Sequence, residues 1–185
     1  MKDAELKSLI HRIGKGDKTA LDALYRQMER PLYRFINIKL NDPYLSADIL
    51  QEVFLDVWKG AAAFEGRSAV KTWMFSIAYR KVIDVFRKNA RLTITDDLPE
   101  QLDEAPSAVA QISAVQEAEH LRACLAQLKP DHRDAIELAF YEDMGYREIA
   151  EVTSAPEGTV KTRIFHAKKL LLHCLQGRMN AKVAS

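Results

Sequence analysis

From Gly158 to its last residue the chain carries Lys161, Arg163, Lys168, Lys169, Arg178 and Lys182, with no Asp or Glu among them. Thr159 precedes these cations, and Thr162, Phe165 and His166 lie among them. Small hydroxyls, an imidazole and cations at three- and four-residue steps share a helix face, and such groups meet base edges and phosphate oxygens in a DNA groove. The opposite stripe is apolar: counted from Val160, Ile164, Ala167 and Leu171 fall within about 60° of one another. A helix anchored along so narrow a stripe needs a partner helix. Tyr146–Thr153 supplies one, with Ile149, Ala150 and Val152 to one side, and Ser154-Ala155-Pro156 breaks the period between them. Pro suits a helix start and Ser can cap it. Two short helices about a tight turn make a helix-turn-helix; the alternative is a solvated basic helix that binds nothing.

A second group of chemically useful residues lies on Leu45–Trp58. Ile49, Leu50, Val53, Phe54, Val57 and Trp58 form a broad apolar face. Asp48, Gln51, Glu52 and Asp56 occupy the other side with Leu55 in their midst. A leucine ringed by carboxylates suits the docking of a basic partner helix, the apolar group giving affinity and the acidic rim giving register and rate. Taken alone, Leu55 is equally a harmless surface leucine.

The third group begins in Lys59–Lys71, which has loop composition around Phe64, Arg67 and Ser68. A helix from about Val70 to Lys88 follows. Met74, Phe75, Ala78, Tyr79, Val82, Val85 and Phe86 read as its core side, whereas Trp73, Ile77, Arg80, Asp84, Arg87 and Lys88 align on the other. Arg80–Asp84 and Asp84–Lys88 are spaced as i,i+4 pairs. A tryptophan beside aligned cations resembles a surface for single-stranded nucleic acid, where an aromatic stacks on bases and arginines track phosphates. A core tryptophan under an ordinary charged face is the other reading.

The elements that hold these groups are helical throughout. Residues 3–13 and 19–40 read as helices about Gly14-Lys15-Gly16-Asp17, with Asp17 or Thr19 as the cap of the second and Leu21, Leu24, Tyr25, Met28, Leu32, Phe35 and Ile36 as its core stripe. Asn41-Asp42-Pro43 reads as a turn, with Ser46 as the next cap. Residues 91–115 lose the period and contain Asp96, Asp97, Glu100, Asp103 and Glu104 with two prolines, the composition of an acidic flexible linker. Gln116–Leu128 and Asp131–Phe140 are helices split at Pro130, with Leu121, Leu125 and Leu128 facing Ala135, Ile136, Ala139 and Phe140. The expected architecture is all-α: a helical domain over 1–90, a linker over 91–115 and a helix-turn-helix domain over 116–185.

Charge follows the same division. The net charge of the 185 residues is +1, but residues 1–90 hold 16 Lys and Arg against 11 Asp and Glu, residues 91–128 hold 2 against 7, and residues 129–185 hold 9 against 8. Basic ends about an acidic middle suit two nucleic-acid-facing modules and a connector that is not one. Cys124 and Cys174 lie on apolar helical faces without CxxC spacing, which favours reduced buried thiols in a cytoplasmic protein. The charged amino terminus does not resemble a signal peptide, and no apolar run approaches the ~20 residues of a membrane span, so direct insertion in a membrane is not expected. His11, His120, His132, His166 and His173 show no metal-ligand spacing, and no glycine-rich phosphate loop is present; neither catalytic residues, metal nor cofactor are expected.

In this order and spacing the motifs resemble bacterial RNA polymerase sigma factors of the sigma-70 family, in the extracytoplasmic function group. Asp48-Ile-Leu-Gln-Glu-Val-Phe-Leu-Asp-Val-Trp58 is similar to that group's core-polymerase-binding helix. Thr72-Trp-Met-Phe-Ser-Ile-Ala78, with Asp84 and Arg87-Lys88, is similar to its promoter-melting helix, Leu128-Lys-Pro130 to the opening of its second domain, and Gly158-Thr-Val-Lys-Thr-Arg163 to the start of its recognition helix. The resemblance implies that Asp48, Gln51, Glu52, Leu55 and Asp56 bind core RNA polymerase. It implies that Phe64, Arg67, Ser68, Trp73, Arg80, Asp84, Arg87 and Lys88 face the minus-ten promoter element and hold a flipped base. Thr159, Lys161, Thr162, Arg163, Phe165, His166 and Lys168 would then face the minus-thirty-five element, and the linker would run near the RNA exit path. An anti-sigma factor, typically membrane-anchored, is the further partner the group implies.

Three departures stand out. Tyr79-Arg80 replaces a common Arg-Asn, His166 replaces a frequent arginine, and Ser154 sits where glycine is common, so a left-handed backbone there would cost about 1 kcal/mol. The chief rival reading is a one-component helix-turn-helix regulator, which leaves Leu55 and Trp73 without a role.

Overall fold

The structure, a computed structural model, describes the backbone of residues 3–92 and 112–183 and the side chains of 3–90 and 119–178. Every regular element among them is helical, as the sequence periods require. The order is α1 (Asp3–Ile13), α2 (Lys18–Leu40), α3 (Pro43–Gly60), a 3-10 turn at Ala61–Ala63, α4 (Val70–Leu92), α5 (Ile112–Ala126), α6 (Pro130–Phe140), α7 (Tyr146–Thr153) and α8 (Glu157–Val183). The helices fall into two compact units, the first carrying α1–α4 and the second carrying α5, α6 and α8 with the opening residues of α7. Most of the expected linker lies outside the described residues; its last four positions, 112–115, belong to α5.

In the first unit, α2, α3 and α4 pack on one another and α1 closes the bundle against α2 and α4. Leu24, Met28, Leu32, Ile36, Met74 and Phe75 are almost fully excluded from water. Phe35 meets Phe75 edge-on at 5.1 Å and Tyr25 lies 4.7 Å from Phe54. Aromatic contacts of this kind add to the burial that orders the unit.

Caps fix where the helices begin. Asp17 opens α2, its carboxylate accepting from the backbone N–H of Thr19 at 2.9 Å and of Ala20 at 3.2 Å. Arg12 donates to the other oxygen through Nε at 2.9 Å and Nη2 at 2.6 Å, which ties the end of α1 to the start of α2. The Thr19 hydroxyl and the Arg12 guanidinium hold the Asp17 carboxyl well below its ordinary value. Since the folded-state value lies below that of the unfolded chain, this stabilisation is present at neutral pH and is lost as pH falls from about 4 downward. Asp17→Ala is therefore expected to lower the melting temperature by several degrees at pH 7, and the difference from wild type should close in acid melts. A gap that did not change with pH would contradict the assignment.

The next cap is Asp42 rather than Ser46. Asp42 accepts from the N–H groups of Tyr44 and Leu45, both at 3.0 Å, with Pro43 in the first helical turn. Ser46 is fully buried and donates to Asn37 Oδ1 at 3.2 Å. Asn41 closes α2 at φ 49°, a left-handed position that asparagine tolerates.

The helix-turn-helix elements fall where the periodicity puts them. Val160, Ile164 and Ala167 are buried along α8, as are Ile149 and Val152 on α7. Ser154 adopts φ 53°, so the left-handed turn is made without glycine. Arg133 closes the end of α5, donating through Nη2 to the carbonyl of Ala126 at 2.8 Å.

The cysteines depart from expectation. Cys124 of α5 and Cys174 of α8 form a disulfide, with Cα atoms 5.8 Å apart across 50 residues of sequence. Linear spacing cannot reveal this pairing, because it arises only when α5 lies along α8.

Two side chains of α4 also depart. Ile77, read as outward, is buried, and Phe86, read as core, is 46% exposed. The first half of α4 is surrounded by α1, α2 and α3, which widens its buried arc, whereas from Phe86 to Ala90 every residue is exposed.

Candidate nucleic-acid interface

The loop between the 3-10 turn and α4 places Phe64, Arg67, Ser68 and Trp73 around one cavity of about 400 Å³. The Phe64 and Trp73 rings lie 4.6 Å apart with a 32° tilt. Trp73 rests against Gly60 at the end of α3: a Cβ there would sit 3.3 Å from the indole, which leaves little room for any larger residue. Gly66 takes φ +70°, the turn that brings the loop back toward α4. Arg67 forms an ion pair with Glu65 at the mouth. A half-buried aromatic pair beside a guanidinium offers a stacking wall and a charge for a phosphate, the groups that hold an unpaired nucleotide.

Arg80, Asp84, Arg87 and Lys88 do not line this cavity. They continue from Trp73 along one face of α4, with Lys88 about 22 Å further along the axis. All four are exposed. Arg80 donates to the Ser76 carbonyl at 3.2 Å, and Asp84 pairs with Arg87 at 3.4 Å instead of forming the expected i,i+4 pairs. Tyr79 is half-buried, with the Lys39 ammonium 5.8 Å from its ring, so the face turned to solvent is carried by Arg80.

On α3 of the same unit, Leu55 is 51% exposed, and Asp48, Gln51 and Glu52 are exposed around it. Asp56 is half-exposed. The sequence reading missed Lys81, which reaches from α4 to bond Glu52 Oε2 at 3.0 Å and Asp56 Oδ2 at 2.9 Å. Burial works against the Lys81 charge, but the hydrogen bonds to Asp56 and Glu52 outweigh it and hold its pKa above the ordinary lysine value. Two carboxylates of the rim are thus fixed in place beside Leu55. Nothing in the sequence around Lys81 signals this role, which depends on the packing of α3 against α4.

On α8, Thr159, Phe165, His166 and Lys168 are exposed on the polar face. Thr162 is exposed and donates to the Gly158 carbonyl at 3.0 Å, leaving its oxygen free to accept. Lys161 pairs with Glu157 at 2.8 Å. Arg163 is turned inward, with its side chain only 22% exposed, and pairs with Asp131 of α6. It braces α8 on α6, whereas its neighbours face solvent. His166 lies over His132, ring centroids 6.2 Å apart. Burial, followed by the nearby Lys129 and His166, lowers the His132 pKa.

The second unit also has an apolar groove of about 510 Å³ where the sequence reading placed core. Leu121, Leu125 and Leu171 line it, and Phe140, expected among the core residues, is 65% exposed at its edge. Phe140 is the last residue of α6, and the Lys168 ammonium of α8 lies 5.2 Å from its ring. Among the described residues no three His, Cys, Asp or Glu side chains are grouped to share a metal, and no helix is long and apolar enough to cross a membrane.

Comparison with known proteins matches residues 24–92 to the family described as Sigma-70 region 2 and residues 118–171 to Sigma-70, region 4. The ECF RNA polymerase sigma factor SigK of Mycolicibacterium vanbaalenii is 26% identical over 176 residues, covering 93% of this chain and 90% of the relative. SigK of Mycobacterium tuberculosis (strain CDC 1551 / Oshkosh) is 26% identical over 181 residues, 93% of this chain and 94% of the relative. The fold matches the sigma factor RpoE of Bartonella quintana, solved in complex with the anti-sigma factor NepR, at a TM-score of 0.70 and 21% identity, over 84% of this chain and 96% of that one. It matches CnrH, solved in complex with the cytosolic domain of CnrY, at 0.70 and 19% identity, over 94% and 98%.

Proposed function

The chain belongs to the sigma-70 family of RNA polymerase sigma factors, in its extracytoplasmic function group, and on that premise we propose that it docks on core RNA polymerase through Leu55 and its acidic rim and directs initiation at two-part promoters. The observation that carries this reading is the composition of the first unit. One four-helix bundle bears both an apolar residue inside an ordered carboxylate rim and an aromatic cavity continuous with a cationic helix face. The rim suits a basic polymerase helix, and the cavity with α4 suits a separated strand near the minus-ten element. The polar face of α8 reads the minus-thirty-five element. No bond is made or broken by this chain; polymerase supplies the chemistry.

Binding by a short basic helix is weak, and tethering on polymerase raises the effective concentration of both DNA-facing surfaces. An anti-sigma factor is the regulator, in keeping with the complex of RpoE with the anti-sigma factor NepR. A membrane-anchored form of that regulator would make this cytoplasmic factor responsive to envelope stress.

Thr159→Ala with His166→Ala tests the reading of α8. Loss of two base or phosphate contacts is expected to lower transcription about tenfold from promoters that carry the upstream element, at unchanged polymerase affinity. An unchanged promoter preference would remove α8 from recognition.

A further inference from the structure

We infer that His132 is a positioning residue for promoter reading: stacked against His166, it fixes that ring on the outer face of α8, where binding of the upstream element takes up a proton. This rests on the minus-thirty-five role proposed above for α8.

Two rings hold the His166 ring in place. The His132 ring lies nearly parallel to it, at 12° with centroids 6.2 Å apart, and the Phe165 ring meets it edge-on at 5.5 Å. Both separations lie in the range over which aromatic rings attract. His132 can act as a support because its own place is fixed. It lies in the first turn of α6, where the Lys129 carbonyl accepts from the backbone N–H groups of His132 and Arg133, both at 3.0 Å. The ion pair of Arg163 with Asp131 joins α8 to α6 one residue before His132 and three before His166. An exposed side chain supported in this way has less freedom to lose when DNA arrives.

The two imidazoles divide the chemistry between them. His132 is half-buried, and its Nδ1, shut off from water, has no hydrogen-bond partner among the described residues. A protonated His132 would bury an unpaired N–H. Burial, then Lys129, His166 and Arg163, push its pKa down against the pull of Asp131. His132 therefore stays neutral, whereas His166 is exposed to any phosphate or guanine edge brought to α8. A neutral imidazole donates through one nitrogen; an imidazolium donates through both and carries a charge. The charged groups around the pair are Lys129 and Asp131 at the start of α6, Arg163 of α8, and Lys169 one turn beyond His166. Asp131 is already paired with Arg163. DNA brings the negative charge that an imidazolium needs, so the proton enters with it, and affinity for the upstream element rises as pH falls through the imidazole range.

The test measures binding of the chain, in complex with core polymerase, to promoter duplex with and without the upstream element; the ratio of the two affinities removes the pH dependence of everything else. If the charged ring binds about tenfold better than the neutral one, this ratio should rise about fivefold from pH 8 to pH 6. His166→Arg, charged at every pH, should hold the ratio high and flat. His132→Ala should lower it about threefold and reduce its pH dependence. His132→Phe, which restores a ring without a proton site, should return both to wild type, with melts of all variants run alongside. A wild-type ratio independent of pH, together with a lowered ratio in His166→Ala, would overturn the proton uptake and leave the minus-thirty-five reading intact. A His132→Ala variant that matches wild type, or a folded His132→Phe variant that does not, would overturn the positioning role. If His166→Ala leaves the ratio unchanged the inference fails, and if adding Thr159→Ala also leaves it unchanged the minus-thirty-five reading fails with it.

Discussion

Leu55→Asp is expected to weaken binding to core RNA polymerase by at least about 30-fold, some 2 kcal/mol, without unfolding the bundle. The side chain is half-exposed, so its loss leaves no cavity in the core, and surface substitutions of this kind shift stability little. The cost arises at the partner, where a carboxylate replaces the apolar centre of a rim already formed by Asp48, Gln51, Glu52 and Asp56. Titrating labelled chain with core polymerase, alongside a melt of the free variant, measures both quantities. A variant that binds polymerase as wild type does would reduce Leu55 to an ordinary surface leucine.

Cleaving the Cys124–Cys174 disulfide is expected to destabilise the second unit by about 4 kcal/mol, the chain-entropy value for a loop of 50 residues. Domains of this size are stable by only ~5–15 kcal/mol, so the loss is a large share of the total. It corresponds to a fall of about 20 °C in melting temperature for a unit of about 80 residues. Reduction with dithiothreitol and the Cys124→Ser variant should give the same lowered melt, and reduction should not lower the Cys124→Ser melt further. Because α5 and α8 also enclose Leu125, Leu171 and the apolar groove, hydrogen exchange should rise first along these two helices. A melt unaffected by reduction would contradict the pairing.

Both predictions rest on contacts of different legibility in the sequence. Helices were readable because apolar residues recur at three and four, and the Val160, Ile164 and Ala167 stripe is buried as its spacing requires. Asp17 was readable as a cap because the side chain and the N–H groups it accepts are neighbours in sequence. What depends on two helices meeting was not readable. Lys81 reads as one more cation of α4 until α3 brings Glu52 and Asp56 to it. Arg163 reads as one of the cations of α8, and its pairing with Asp131 arises only when α6 packs there. The cysteines follow the same rule, since no periodicity signals that α5 and α8 lie together. Helix ends were the other weak point. Phe86 and Phe140 keep the core period, but Phe86 lies beyond the packed first half of α4 and Phe140 is the last residue of α6, and both are exposed.

The lysine bridge adds a physical reason for the rim's composition. An acidic ring around an apolar residue repels itself, and one partly buried ammonium shared by two carboxylates reduces that repulsion while fixing their direction. Asp48 and Gln51 remain exposed for a partner's cations.

Run-off transcription with purified core RNA polymerase on a pool of promoter sequences tests the central claim most directly. Discrete transcripts are predicted only when this chain is present, from templates sharing an upstream and a minus-ten element, and they should vanish with Leu55→Asp. No promoter-specific transcript, together with tight binding of the free chain to duplex DNA, would contradict the sigma-factor account and indicate a regulator that acts on DNA by itself.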